Sequence, residues 1–296
     1  MSLLGWVSNR RGVLAGTAAQ VLALSVVAAV VVTANGYPTD KVDLNDSGVW
    51  TVDQKVGRVT RVIAAIRDTG TPVDAPITQG QFDVLQDGAN VVVVKDQKAA
   101  VLDPATGLLS PEITLQPQQQ VAAGGPNTAV LDPGGRAWFG PTRNVLASDF
   151  TKPGTAPIET GAGAKAAIGT DGTLAVARPA VSEVTLYRWS DGAIVVGPSF
   201  PLPSGQVGSV TVVGSGDDFA DVKPVVEMAD QRVVLPGGQV APLPSTSGAV
   251  LQLPGPSADS VLVATEKELY SVPLDGSPVL QHFAEGTGRP AHPVVV

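Results

Sequence analysis

Short runs of β-branched and small apolar residues recur along this chain at nearly regular distance, each behind a turn-former. The runs are Val49-Trp50-Thr51-Val52, Val91-Val92-Val93-Val94, Arg136-Ala137-Trp138-Phe139, Leu174-Ala175-Val176-Ala177, Val225-Val226-Glu227-Met228 and Val261-Leu262-Val263-Ala264. Before them stand Asp46-Ser47-Gly48, Asp87-Gly88, Pro133-Gly134-Gly135, Asp171-Gly172, Asp221 with Pro224, and Pro256 with Asp259. Such residues preset a turn or accept a positive φ, so each run reads as a strand entered from a turn. Their centres lie roughly 36–51 residues apart, the period of four-stranded propeller blades. More strands follow inside each interval. Ala99-Ala100-Val101-Leu102, a turn at Asp103-Pro104-Ala105-Thr106-Gly107 and Ile113-Thr114-Leu115 form one such series. Val184 to Trp189, the turn Ser190-Asp191-Gly192 and Ile194-Val195-Val196 form another, and Glu268 to Val272, Asp275-Gly276 and Val279-Leu280 a third.

The expected fold is therefore all-β, a β-propeller with about six visible blades and a seventh cut short, preceded by one transmembrane helix. A string of β-sandwiches of about 100 residues each is the alternative, but no linkers stand at that spacing. Ala100-Val101-Leu102-Asp103-Pro104 echoes Ala129-Val130-Leu131-Asp132-Pro133 out of phase with the blade period, and is read as coincidence. Residues 289–296, Arg-Pro-Ala-His-Pro-Val-Val-Val, read as a turn and the opening of another inner strand, so a further blade is expected to complete the ring.

Composition agrees. Gly 33 and Pro 25 in 296 residues weaken helices, while 44% hydrophobic residues are too many for a disordered chain. The absence of cysteine excludes thiol nucleophiles, disulfides and Cys-based metal sites. The formal charge is −8, and −10 once Arg10 and Arg11 are set aside, which argues against nucleic acid as a partner.

Residues 12–39 contain no charge at all. The apolar heart from Val13 to Val32 is about 20 residues, enough to cross a hydrocarbon core. Arg10 and Arg11 before it place the N-terminus in the cytoplasm by the positive-inside rule. Three segments follow: a cytoplasmic N-terminus at 1–12, a transmembrane helix at 13–34 and an extracytoplasmic propeller at 35–296. A cleaved signal peptide is the competing reading, since Val32-Thr33-Ala34 suits a peptidase, yet the apolar run exceeds the usual h-region of about 7–15 residues. Either way the bulk is exported.

The basic N-terminus, the single anchor and Asp43-Leu44-Asn45-Asp46-Ser47-Gly48-Val49-Trp50 resemble a group of actinobacterial surface proteins. Those carry an N-terminal anchor, an extracytoplasmic propeller-like region and C-terminal fibronectin type III or other immunoglobulin-like repeats. Residues 83–107 and 260–276 are also similar to quinoprotein-like and YncE-like propellers. The resemblance implies a surface or envelope role, with the repeats absent from this chain, and it transfers no catalytic residue to a named position.

No chemistry stands out from the residues. Only His282 and His292 could serve a Ser/His/Asp triad, and no Gly-x-Ser-x-Gly elbow accompanies them. The Asp43 to Gly48 segment echoes a calcium loop, but Gln54 stands where a bidentate Glu belongs. Asp217, Asp218 and Asp221 are read as turn residues. Gly161-Ala162-Gly163-Ala164-Lys165-Ala166 lacks the ending of a phosphate loop and reads as a plain loop, and Gln116-Pro117-Gln118-Gln119-Gln120 as a polar connector. Trp50, Trp138 and Trp189 are assigned to core packing. The expectation is a non-enzymatic binding or scaffold module of the cell envelope, with no catalytic, cofactor or metal residues. It would meet an envelope protein or wall polymer. A cell-surface enzyme acting on polysaccharide, of glycoside hydrolase type, is the alternative, to be recognised by paired carboxylates in a cleft with an aromatic wall.

Overall fold

The computed structural model describes residues 48–53, 58–63, 68–69, 73–74, 82–95, 97–148, 150, 158–243, 248–255, 259–276 and 278–283. The expected membrane helix and the expected strand opening after residue 289 lie outside them. Among the described residues no helix is long and apolar enough to cross a membrane.

The described residues form six antiparallel sheets in chain order. Sheet I holds β1 (Gly48–Asp53), β2 (Arg58–Ile63), β3 (Asp68–Thr69) and β4 (Val73–Asp74). Sheet II holds β5 (Phe82–Asp87), β6 (Asn90–Lys95), β7 (Lys98–Asp103), β8 (Leu108–Leu109) and β9 (Ile113–Thr114). Sheet III holds β10 (Gln120–Gly124), β11 (Asn127–Leu131), β12 (Arg136–Pro141) and β13 (Ile158–Glu159). Sheet IV is β14 (Lys165–Ile168), β15 (Leu174–Arg178), β16 (Glu183–Ser190) and β17 (Ala193–Pro201). Sheet V is β18 (Val207–Val213), β19 (Lys223–Met228), β20 (Arg232–Val234) and β21 (Val240–Pro242), and sheet VI is β22 (Val250–Leu251), β23 (Ser260–Ala264), β24 (Glu268–Pro273) and β25 (Val279–Phe283).

The first strands of the sheets lie beside one another in succession, β1 by β5, β5 by β10, β10 by β14, β14 by β18 and β18 by β22. The cores lie between successive sheets. Val91 and Val93 of β6 pack toward sheet I, while Val92 between them packs toward sheet III. Leu174 and Val176 of β15 face sheet III, and Ala175 and Ala177 face sheet V. Val226 and Met228 of β19 face sheet IV, and Val225 faces sheet VI. Burial on both faces explains why these strands read as unbroken apolar runs rather than as alternating ones.

The six regularly spaced runs do not all hold one position. Those at 91–94, 174–177, 225–228 and 261–264 are second strands, but 49–52 belongs to the first strand of sheet I and 136–139 to the third strand of sheet III. In sheet III the second strand is Asn127–Leu131, whose five residues are all buried. The echoing segments at 100–104 and 129–133 fall on a third and a second strand, so they are not equivalent.

Hydrogen bonds latch each sheet to the next. Trp50 N donates to Gln86 Oε1 at 2.8 Å between sheets I and II, and Gly125 N donates to Asp87 Oδ2 at 2.6 Å between II and III. Asn127 Nδ2 donates to Gly172 O at 3.0 Å between III and IV. Between V and VI, Gly214 N donates to Gly255 O at 3.1 Å and Gly255 N to Val212 O at 3.2 Å. Close approach of main chains sets the residue type here. A Cβ on Gly124 would stand 2.3 Å from Ile168 O, and one on Gly125, whose φ is +49°, 2.7 Å from Gly172 N.

Candidate functional site

Between the first strands of sheets II to VI lies a cavity of about 660 Å³. Its volume follows from small side chains on strands that would otherwise fill it: Ala122 and Ala123 on β10, Ala166 and Ala167 on β14, and Gly208 on β18. Leu85, Val121, Val210 and Val250 complete an apolar wall. Set into it are Asp83, Gln120, Lys165, Ser209, Glu227, Gln231 and Gln252. A mostly apolar concavity with a few converging polar groups is the usual form of a small-ligand site.

Glu227 is the distinctive member. It lies on β19 and is 6% exposed, with Ser209 Oγ donating to its Oε2 at 3.2 Å. The pairing of β18 with β19 shifts between Val207 and Ser209, so Gly208 bulges out of register. A Cβ on Gly208 would stand 1.9 Å from Glu227 Oε2, so a side chain there would make the carboxyl shift from this position. Burial pushes Glu227 up to about 7 against the pull of the Ser209 bonds, and the Asp230 carboxylate adds to the rise.

Two segments set aside as chemically plain meet at this cavity. Lys165, last charged residue of the glycine-alanine stretch, opens β14 rather than lying in a loop, and its Nζ is 3.4 Å from Gln120 Oε1 at the start of β10. Gln252, 2% exposed, exchanges main-chain and side-chain bonds with Leu262: its N donates to Leu262 O at 2.9 Å and its Oε1 accepts from Leu262 N at 2.7 Å. Among the described residues its Nε2 has no hydrogen-bond partner.

No protein-family model matches the sequence, and no curated protein matches it. Solved structures do resemble the fold. AztD of Citrobacter koseri, in its apo form, shares 15% identity at a TM-score of 0.53 over 83% of this chain and 72% of that one. KlAtg21, in complex with the coiled-coil of AgAtg16, shares 11% at 0.52 over 81% and 82%. The dihydro-heme d1 dehydrogenase NirN, in complex with DHE, shares 14% at 0.51 over 82% of this chain and 55% of its own. All are propeller proteins. The fold is a β-propeller.

Elsewhere in the propeller, residues singled out in the sequence have structural partners. Asp218 accepts from Ala220 N at 3.1 Å and caps the short helical turn Phe219–Asp221. Arg188 of sheet IV reaches across to sheet V: its Nη2 donates to Gly216 O at 2.6 Å and Asp218 O at 3.1 Å, its Nη1 to Asp217 O, and its Nη2 also to Asp171 Oδ2 at 2.8 Å. Those three carbonyls are thus engaged by the Arg188 guanidinium. Among the described residues no cluster of three or more His, Asp and Glu is placed to hold a metal. Trp50 and Trp138 are buried, the latter edge-on to Phe150 at 5.4 Å between ring centroids, while Trp189 is half-buried beside Gly140. The turn aspartates bond locally as expected: Asp103 Oδ1 accepts from Ala105 N at 2.9 Å, and Asp132 Oδ1 from Arg136 N at 2.8 Å. Asp87 departs from that pattern, since its partner belongs to the next sheet. His282 falls on β25, and His292, Gln54 and the segment 43–47 lie outside the described residues.

Sequence reasoning read Glu227 only as part of a strand. The signal that finds it is a carboxylate between Val226 and Met228 in a strand buried on both faces, where it has no solvent unless a cavity supplies it.

Proposed function

We propose that the chain is a membrane-anchored, extracytoplasmic binding or scaffold module of the cell envelope, which receives an envelope protein or wall polymer at the loop-bearing face around its central cavity and performs no catalysis. The observation that carries this reading is the cavity lining. It is built of alanine, valine, leucine and glycine with dispersed polar groups, and among the described residues it contains no aromatic side chain and no histidine. Sugar hydrolysis calls for an aromatic platform and two carboxyls facing each other across the substrate. Similar structures support a binding role as a use of this fold, KlAtg21 being seen with a coiled-coil partner. The anchor rests on the uncharged residues 12–39 behind Arg10 and Arg11, and the acidic remainder suits partners other than nucleic acid.

Fractionation of native cells, with an antibody raised against residues 40–290, tests the anchor. The protein is expected in the membrane fraction and accessible to protease added outside the cells. A band in the cytosol would overturn both anchor and export.

Glu227 favours a second reading, a surface enzyme acting on polysaccharide. A buried carboxyl held up to about 7 suits a general acid, and Asp83 lines the same cavity. Chromogenic glycosides and wall polysaccharide decide between them. Turnover lost in Glu227→Gln would replace the binding reading, whereas binding without turnover supports it.

A further inference from the structure

We propose that the central cavity receives a ligand bearing an alkylammonium group, its charge docked on the Glu227 carboxyl and its hydrocarbon part on the alanine and valine wall. The proposal rests on the cavity being a binding site and adds the chemical class of what enters it.

Glu227 is nine-tenths buried, and among the described residues the one side-chain hydrogen-bond partner it has is a neutral hydroxyl, Ser209. A carboxylate in such a place is costly unless a cation meets it. The neighbouring cations are already engaged. Arg232 bonds Asp230 through Nε and Nη2 and donates to Ser204 O, and Lys165 is on Gln120. The elements around Glu227 carry few other charges. Neither β18 nor β22 contributes a titratable group, the turn before β20 contributes Asp230, and Asp83 and Lys165 line the same cavity. Two carboxyls against one ammonium favour a cation over an anion, as does the −8 of the whole chain.

The position is built rather than incidental. The bulge at Gly208 and the missing Cβ there leave room for the carboxyl at the wall, and the Ser209 hydroxyl holds it there. The volume of about 660 Å³ suits a small organic molecule or a single long side chain of a partner. Because an ammonium binds the ionised carboxyl, binding draws the proton off Glu227. The burial that holds the free carboxyl up to about 7 therefore makes affinity climb between pH 6 and 8 and level off above. The alkylammonium itself stays protonated across this range, as lysine does.

The test is a ligand-observed NMR titration of the full chain in neutral maltoside detergent, at pH 6 and pH 8, with n-butylammonium, n-butanol and butyrate. Butylammonium is expected to bind about tenfold more tightly at pH 8, the ratio that one ionisation near 7 gives. Butyrate is expected not to compete. Glu227→Gln should weaken butylammonium about tenfold or more at pH 8 and abolish the pH dependence, the size expected for losing a charged hydrogen-bond partner. Equal binding of butanol or butyrate, or a pH-independent affinity, overturns the cationic class while leaving the cavity a binding site. Failure of all three probes overturns the cavity as a small-ligand site as well. Should Glu227→Gln fail to fold, the pH ratio and the butyrate comparison on the unaltered chain still decide.

Discussion

Glu227 and the glycine opposite it show how one position trades stability for a carboxyl held at a cavity wall. Its carboxyl is raised above the ordinary value when the protein is folded, so the folded state favours the protonated form. That preference contributes fully at pH below about 4.5 and is lost as pH climbs through about 7. Glu227→Gln should therefore stabilise the protein at pH 8 relative to the unaltered chain and leave it nearly unchanged at pH 5. The gain at pH 8 is about 1–2 kcal/mol, less than full linkage would give because the carboxyl borders a cavity open to water. Urea melts at the two pH values check this. Gly208→Ala belongs to the same site. Its added Cβ meets the carboxyl at 1.9 Å, so Glu227 must move and the rise in its pKa should shrink, a change that carboxyl NMR would register.

At the scale of strands, those that were easy to read are those buried on both faces. Leu174–Arg178 and Lys223–Met228 declare themselves by continuous apolar composition, because each contributes to two cores. The first strands of sheets III and IV were hidden. Gln120–Gly124 and Lys165–Ile168 hold one β-branched residue each, Val121 and Ile168, among glutamine, lysine, alanine and glycine of low strand propensity, and their composition answers to the cavity and to close main-chain approach. The phase error in sheet III has the same root, since periodicity locates apolar runs without saying which place in a sheet each occupies. Two element-level outcomes follow from this geometry. Gly125→Ala should cost about 2–4 kcal/mol in denaturant melts, because a positive φ and a clash with the main chain of sheet IV act together. β17 pairs only with β16 among the described strands and shows Val195 and Val196 at 44% and 66% exposure. Its two prolines already blunt that edge. Val196→Lys should lower light scattering on heating concentrated protein, with stability altered by less than about 0.5 kcal/mol.

For the propeller as a whole, cores shared between neighbours and latches across every described join couple the sheets to one another. Heating or urea should give one transition, coincident by near-ultraviolet and far-ultraviolet circular dichroism. Asn127→Ala should lower the unfolding free energy by about 1–2 kcal/mol, read as a lower midpoint at an unchanged denaturant slope. Two separated transitions would show that the sheets do not unfold as a unit. The overall architecture was legible because its period is written in turns and apolar runs. The site was not, because its residues come from five sheets and the one that stands out, Glu227, sits in a run that read simply as a strand. Every one of the latches has main chain on at least one side: Trp50 N, Gly125 N, Gly172 O, the carbonyls at 216–218, and both partners at Gly214 and Gly255. Each of these hydrogen bonds asks one side chain, or none, to be correct, whereas the side-chain pair Lys165–Gln120 between sheets III and IV is the exception that needs both. At these latches one sheet can vary without a compensating substitution in the next, so the demand for matched side chains falls on the shared cores, and it is there that a grafted sheet would have to be fitted to its neighbours.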